Sequence, residues 1–150
     1  MEKLKYLNYT VTCQEVPDEI SLVINISGCN HHCDGCHSQY LWEYKGNYIS
    51  NDLDKLIGQY DGLISCVCFM GGDQNIGELG ELLQRIKVHN LKTCVYSGMD
   101  DTSTFNSITQ NIDYLKIGKY IPELGGLDSK NTNQRMYDIT TGKEIFFYKK

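Results

Sequence analysis

Four short β-prone runs limit what this chain can fold into: Ile20 to Ile26, Leu63 to Met70, Lys92 to Ser97 and Tyr114 to Ile117. The first two are almost unbroken apolar stretches, which suits strands covered on both faces, the environment of a parallel sheet packed by helices. The segments between them supply the helices. Leu53, Leu56, Ile57 and Tyr60 stand at i, i+3, i+4 and i+7 behind the start signal Ser50-Asn51-Asp52, which predicts a helix over 51–60. Leu79, Leu82, Leu83 and Ile86 form the inner stripe of a second helix over about 76–89, and 102–111 reads as a short third. Strand and helix alternating in this order predict an α/β fold with right-handed crossovers and a mostly parallel sheet of four to six strands. That is too few units for an eight-fold barrel, which takes about 250 residues. A partial, open β/α barrel is the expected architecture. Lys5 to Thr12 adds an initial strand or extended arm, and two β-prone runs around Gly142 predict a C-terminal hairpin over 134–148.

Cys29, Cys33 and Cys36 follow the first run directly, at spacing C-x3-C-x2-C. Thiolates this close bridge one another only with strain, but they converge readily on a soft metal centre. A closed four-cysteine cluster or a zinc site calls for a fourth ligand. Three thiolates on a cubane 4Fe–4S cluster leave one iron open to a small molecule. His31, His32 and His37 sit in or beside this loop, so a zinc site of three cysteines and one histidine is the alternative, with solvated loop residues as the plainest reading. Gly71-Gly72-Asp73 follows the second run, Ser97-Gly98 the third and Gly118 the fourth. Sites in parallel α/β folds gather at the carboxyl ends of strands, so these residues are expected on one rim. Taken alone, Gly71-Gly72-Asp73 reads as a plain strand-to-helix turn with Asp73 as the cap. Beside the cysteines it reads as part of a site.

Composition excludes several classes. With 150 residues, 41% of them hydrophobic and 22% charged, the chain suits one globular domain over 1–150. A formal charge of −5 without a Lys/Arg cluster argues against a nucleic-acid groove. No apolar run reaches membrane-spanning length and the start lacks a signal-peptide stretch, so a cytoplasmic location is expected. Seven cysteines, an odd number without an export signal, suit metal ligands and core residues better than a disulfide scaffold. Cys66, Cys68 and Cys94 are expected in the core as small hydrophobes, although Cys66 and Cys68 on one strand face leave a second metal site conceivable. Cys13 takes no role.

The cysteine loop resembles that of the radical S-adenosylmethionine enzymes. The wider chain, over roughly 5–148, resembles the activating proteins of anaerobic ribonucleotide reductases. Ser27-Gly28-Cys29, Met70-Gly71-Gly72-Asp73, Tyr96-Ser97-Gly98 and the stretch Ser129 to Tyr137 carry that second likeness. The resemblance implies an enzyme, an oxidoreductase with two cofactors, a 4Fe–4S cluster on Cys29, Cys33 and Cys36 and S-adenosylmethionine on the open iron. One electron would cleave the cofactor to methionine and a 5′-deoxyadenosyl radical, which would take the α-hydrogen of a glycine in the reductase. The implied partners are therefore the anaerobic ribonucleoside-triphosphate reductase and a flavodoxin- or ferredoxin-type electron donor. Gly71 and Gly72 would let backbone carbonyls approach the methionyl ammonium, with Asp73 adding a charge-assisted hydrogen bond. Ser97 and His37 complete the implied cofactor contacts. Gly35 stands where many superfamily members place an adenine-stacking aromatic, which leaves Tyr40 or His37 for the base. Gln74 stands where proline commonly follows the Gly-Gly-Asp motif. Asn133, Gln134 and Arg135 are candidates for cofactor or partner contacts, and Trp42 and Tyr44 for the core or a partner. A small open barrel would suit a substrate delivered as a protein loop. Two other readings stand beside this one: activation of another glycyl-radical enzyme, and a non-catalytic iron–sulfur or zinc module.

Overall fold

The computed structural model describes residues 2–29 and 39–147. Its elements are β1 (Lys5–Thr12), β2 (Ser21–Ile26), β3 (Asn47–Tyr48), α1 (Ile49–Gln59), β4 (Cys66–Met70), α2 (Ile76–Val88), β5 (Lys92–Tyr96), β6 (Tyr114–Ile117), β7 (Arg135–Asp138) and β8 (Lys143–Ile145). Among the described residues eight strands join one sheet, ordered β3-β1-β2-β4-β5-β6-β7-β8.

The four predicted runs β2, β4, β5 and β6 are parallel neighbours at its centre. The expectation of a mostly parallel sheet of four to six strands is corrected at the flanks, where β1, β3, β7 and β8 all pair antiparallel. Connections explain this. A parallel return normally needs a helical crossover. The 13–20 link from β1 to β2 is a turn-bearing loop with Asp18 at φ 66°, and 118–134 carries no helix. Each chain reversal therefore lays down an antiparallel partner. The sheet is mixed and open rather than a partial parallel barrel, and its last pair, β7 and β8, is the predicted hairpin.

One face is packed by the helices. Ile24, Phe69, Val95 and Leu115 are successive partners across the central strands. They share one apolar cluster with Leu53 of α1 and Leu79, Leu83 and Ile86 of α2. Helix α1 starts at Ile49, ahead of the Ser50-Asn51-Asp52 signal, because Ile49 is buried and its N–H donates to the Leu4 carbonyl at 3.2 Å. Asp52 instead accepts from the Tyr6 hydroxyl at 2.7 Å. The third helix expected over 102–111 is replaced by two 3₁₀ turns, Thr102–Phe105 and Thr109–Asn111. Ser, Thr and Asn dominate that stretch and compete with helical hydrogen bonding. Buried Phe105 and Ile108 still anchor it on the core, so close to α2 that a Cβ on Gly80 would stand 2.6 Å from Ile108 Cγ2.

The opposite face is rich in sulfur. Val23, Cys68, Cys94 and Tyr114 form its register row, with Cys66, Met136 and Val16 in the same buried cluster. Cys66, Cys68 and Cys94 are wholly buried, as the core reading expects. Desolvation pushes the Cys66 and Cys94 thiols well above the usual range and keeps them protonated. Among the described residues, no group of three or more His, Cys, Asp or Glu side chains could hold a metal ion. No described helix is long and apolar enough to cross a membrane.

Iodoacetamide labelling of the native protein, read by peptide mass spectrometry, should modify exposed Cys13 and spare Cys66, Cys68 and Cys94 until denaturant is added. Labelling of all four at one rate would show that this face is not closed.

Candidate cofactor cleft

The register that builds the sheet also levels the carboxyl ends of its parallel strands. Asn25, Met70, Tyr96 and Lys116 are successive partners across β2, β4, β5 and β6. Together they floor an open cleft of about 410 Å³. The loops beyond each strand form its walls: Cys29 after β2, Gly71 and Asp73 after β4, Ser97 after β5 and Gly118 after β6. The rim predicted from strand ends is therefore present.

Cys29 is half-buried at the stem of the cysteine loop. Its N–H and that of Gly28 both donate to the Leu41 carbonyl, at 3.0 and 2.7 Å, so a single acceptor clamps the stem. Ser27, one residue earlier, is locked from two sides. Its N–H donates to the Lys5 carbonyl at 3.0 Å, and its hydroxyl donates to the Lys45 carbonyl at 2.5 Å.

The two glycines after β4 have different tasks. Both hold positive φ, 109° at Gly71 and 102° at Gly72, which L side chains resist. Gly71 lines the cleft and its N–H donates to the Tyr96 carbonyl at 2.8 Å. Gly72 is buried beneath it, and a Cβ there would stand 2.9 Å from Leu79 Cδ1 of α2 and 3.2 Å from Ile26 Cδ1. Gly72 thus seats the loop on the helix and is not among the residues that line the cleft. Asp73 is not the helix cap. That position belongs to Asn75, whose Oδ1 accepts from the Glu78 N–H at 3.2 Å. The Asp73 carboxylate accepts from the Ser97 hydroxyl at 2.5 Å, and Ser97 Oγ accepts from the Met99 N–H at 3.0 Å.

Lys116 was not legible as a site residue. It is only 9% exposed, and its ammonium donates to the carbonyls of Ser97 at 3.2 Å and Gly118 at 2.8 Å. The signal was present as a lone cation in the four-residue run Tyr114-Leu115-Lys116-Ile117. Buried Gln134 also lines the cleft and donates to the Gly118 carbonyl at 3.3 Å. Its neighbours Asn133 and Arg135 are not among the residues that line the cleft. Asn133 donates to the Lys119 carbonyl at 3.0 Å, and Arg135 donates to that of Thr132 at 2.9 Å. Tyr40 lines the cleft while 45% exposed. Trp42 and Tyr44 line a separate hollow of about 260 Å³ with Leu4 and Ser27. Cys33, Cys36, His31, His32 and His37 lie outside the described residues.

This arrangement suits an iron–sulfur protein: a cysteine held at the stem of a thiol-rich loop, opening on a cleft at strand ends. Residues 20–137 match the family described as the 4Fe-4S single cluster domain. The chain belongs to that family. No curated protein and no solved structure matches it. The residues fit the cluster by donor chemistry: Cys29 is in place, and the sequence supplies two more thiols within seven residues of it.

Replacing Gly72 by alanine should lower stability by about 1–3 kcal/mol, through a strained φ and the clash with Leu79. Chemical denaturation checks this. A neutral effect would show that the loop is free to lift from α2.

Proposed function

We propose that this protein is a radical S-adenosylmethionine activase that generates the glycyl radical of an anaerobic ribonucleoside-triphosphate reductase. One observation carries the reading: Cys29 of the three-cysteine motif, Gly71 and Asp73 of the Gly-Gly-Asp loop and Ser97 line the same open cleft. Membership of a single-cluster 4Fe–4S family supports the metal centre.

On this reading Cys29, Cys33 and Cys36 hold three irons as thiolates. Asp73 accepts from the ammonium of S-adenosylmethionine, and Gly71 offers backbone with no side chain between. Ser97 keeps the Asp73 carboxylate aimed by its 2.5 Å hydrogen bond. Tyr40 covers the adenine. When bound, the cluster and cofactor supply one-electron cleavage of the sulfonium carbon–sulfur bond, and with it the radical that removes a glycine α-hydrogen. The cleft's open side admits that glycine on a loop of the reductase. A flavodoxin- or ferredoxin-type donor provides the electron.

Electron paramagnetic resonance of the anaerobically reconstituted, reduced protein tests this. A reduced 4Fe–4S signal should appear, change on adding S-adenosylmethionine, and be lost in Cys29→Ala. Incubation with the reductase should then give a glycyl radical signal. A cluster signal indifferent to the cofactor would leave an electron carrier. Stoichiometric zinc without a cluster would leave a structural metal module. A cofactor-responsive cluster that activates a different glycyl-radical enzyme would correct the partner alone.

A further inference from the structure

Building on the activase reading above, we propose that the outer edge of β1 receives the glycine-bearing segment of the reductase as an added strand. β1 runs from Lys5 to Thr12, but its second partner β3 reaches only Lys5 and Tyr6. Beyond that point β1 is paired on one side alone among the described residues, by β2. The register fixes which peptide groups face out. The Ile20 carbonyl accepts from Cys66 of β4, and the Ser27 N–H donates to the Lys5 carbonyl of β1. Backbone groups alternate sides along a strand, so Ser21, Val23 and Asn25 also turn to β1, where they meet Thr12, Thr10 and Asn8. The N–H and C=O groups of Tyr9 and Val11 therefore point outward, with no strand across from them among the described residues.

Proteins usually blunt such edges with charge, proline or a covering element. Leu7-Asn8-Tyr9-Thr10-Val11-Thr12 holds no charged residue and no proline, and Asn8, Tyr9 and Thr10 are exposed. Two observations choose the occupant. Thr10 and its neighbour Asn25 line the cleft, so this edge borders the cofactor site rather than a remote surface. Its lack of charge suits a segment whose glycine has uncharged flanks, because a charged flank would meet no counter-charge there. Glycine chemistry agrees. With no side chain to be read, a glycine is positioned through its own backbone and its flanking residues. Strand addition supplies main-chain hydrogen bonds for that purpose, and alternate side chains for specificity. The added strand would lie about 4.8 Å outside β1.

Amide-resolved hydrogen exchange of the cluster-loaded, anaerobic protein, alone and with the reductase, tests this. In the protein alone, Thr10 should exchange slowly and Tyr9 and Val11 quickly. The reductase should slow Tyr9 and Val11 by about tenfold or more and leave Thr10 unchanged. Val11→Pro removes one outward N–H, a change that edge strands tolerate. It should weaken reductase binding by about tenfold in isothermal titration. Glycyl-radical formation without slowing at Tyr9 and Val11 would overturn the edge assignment and leave the activase reading standing. Wild-type affinity in Val11→Pro would do the same. Slow exchange at both residues in the protein alone, growing with its concentration, would place a second copy on the edge and also overturn the assignment. Should Val11→Pro fail to retain its iron, the exchange pattern of the wild type decides. Neither reductase binding nor a glycyl radical would overturn the activase reading, and this inference with it.

Discussion

The cleft depends on register. In a parallel ladder, each residue of one strand has a fixed partner on the next, so Ile24, Phe69, Val95 and Leu115 must lie in one row if any two of them do. That row is buried against α1 and α2, and a slip of one residue would turn every apolar side chain of a strand to the wrong face. The same constraint fixes the row one residue further along. Asn25, Met70, Tyr96 and Lys116 then come level on the other face, with the four following loops above them. The core on one side of the sheet thereby sets the site on the other.

What lies beneath the floor matters as well. Two residues below it, Val23, Cys68, Cys94 and Tyr114 form a closed apolar layer, sealed by Val16 from the loop between β1 and β2. The Tyr96 hydroxyl reaches that loop and donates to the Glu15 carbonyl at 2.5 Å, and burial holds the phenol protonated. Water is thus excluded from one side of the floor, where the charges of Lys116 and Asp73 act with less screening than on a surface. Gly118 makes the packing feasible. Its φ of 106° and the 2.9 Å that would separate a Cβ from Gln134 Cα leave no room for a side chain. Its carbonyl accepts from both Lys116 and Gln134.

The central ladder and both helices were readable because burial imposes a period on sequence, and the strand-end loops followed from where the runs stop. Strand direction at the flanks, where β1 and β3 pair and where β7 joins β6, was not readable. The apolar pattern of Lys5–Thr12 or Arg135–Asp138 records which face is covered, whereas the sign of the pairing comes from connections without helices. The 102–111 segment misled for a related reason: Phe105 and Ile108 carry helical spacing, but the polar residues around them favour 3₁₀ turns. Gly71 and Gly72 are indistinguishable in sequence and separate only when Leu79 is seen behind one of them. Lys116 was hidden because its meaning depends on what faces β6. Leu115 sits in the helix-side core, while Lys116 stands on the cleft side. Cys33, Cys36 and His37 continue to rest on the sequence alone.

Gln74 shows how the two halves of the site are joined. Proline, expected after Gly-Gly-Asp from the resemblance, has no side-chain amide. Here Gln74 Nε2 donates to the Ser27 carbonyl at 3.0 Å, tying the Gly-Gly-Asp loop to the stem of the cysteine loop. Ser27 is itself fixed to Lys5 and Lys45, and the next two N–H groups are fixed to Leu41. The rigidity that proline would give to the backbone comes instead from a cross-loop hydrogen bond, and the entry to α2 is set one residue later by Asn75, which donates to the Glu2 carbonyl at 2.9 Å. The constraint therefore lies between two loops rather than within one. In this chain the stem of the cysteine loop and the Gly-Gly-Asp loop are therefore coupled through one neutral side chain.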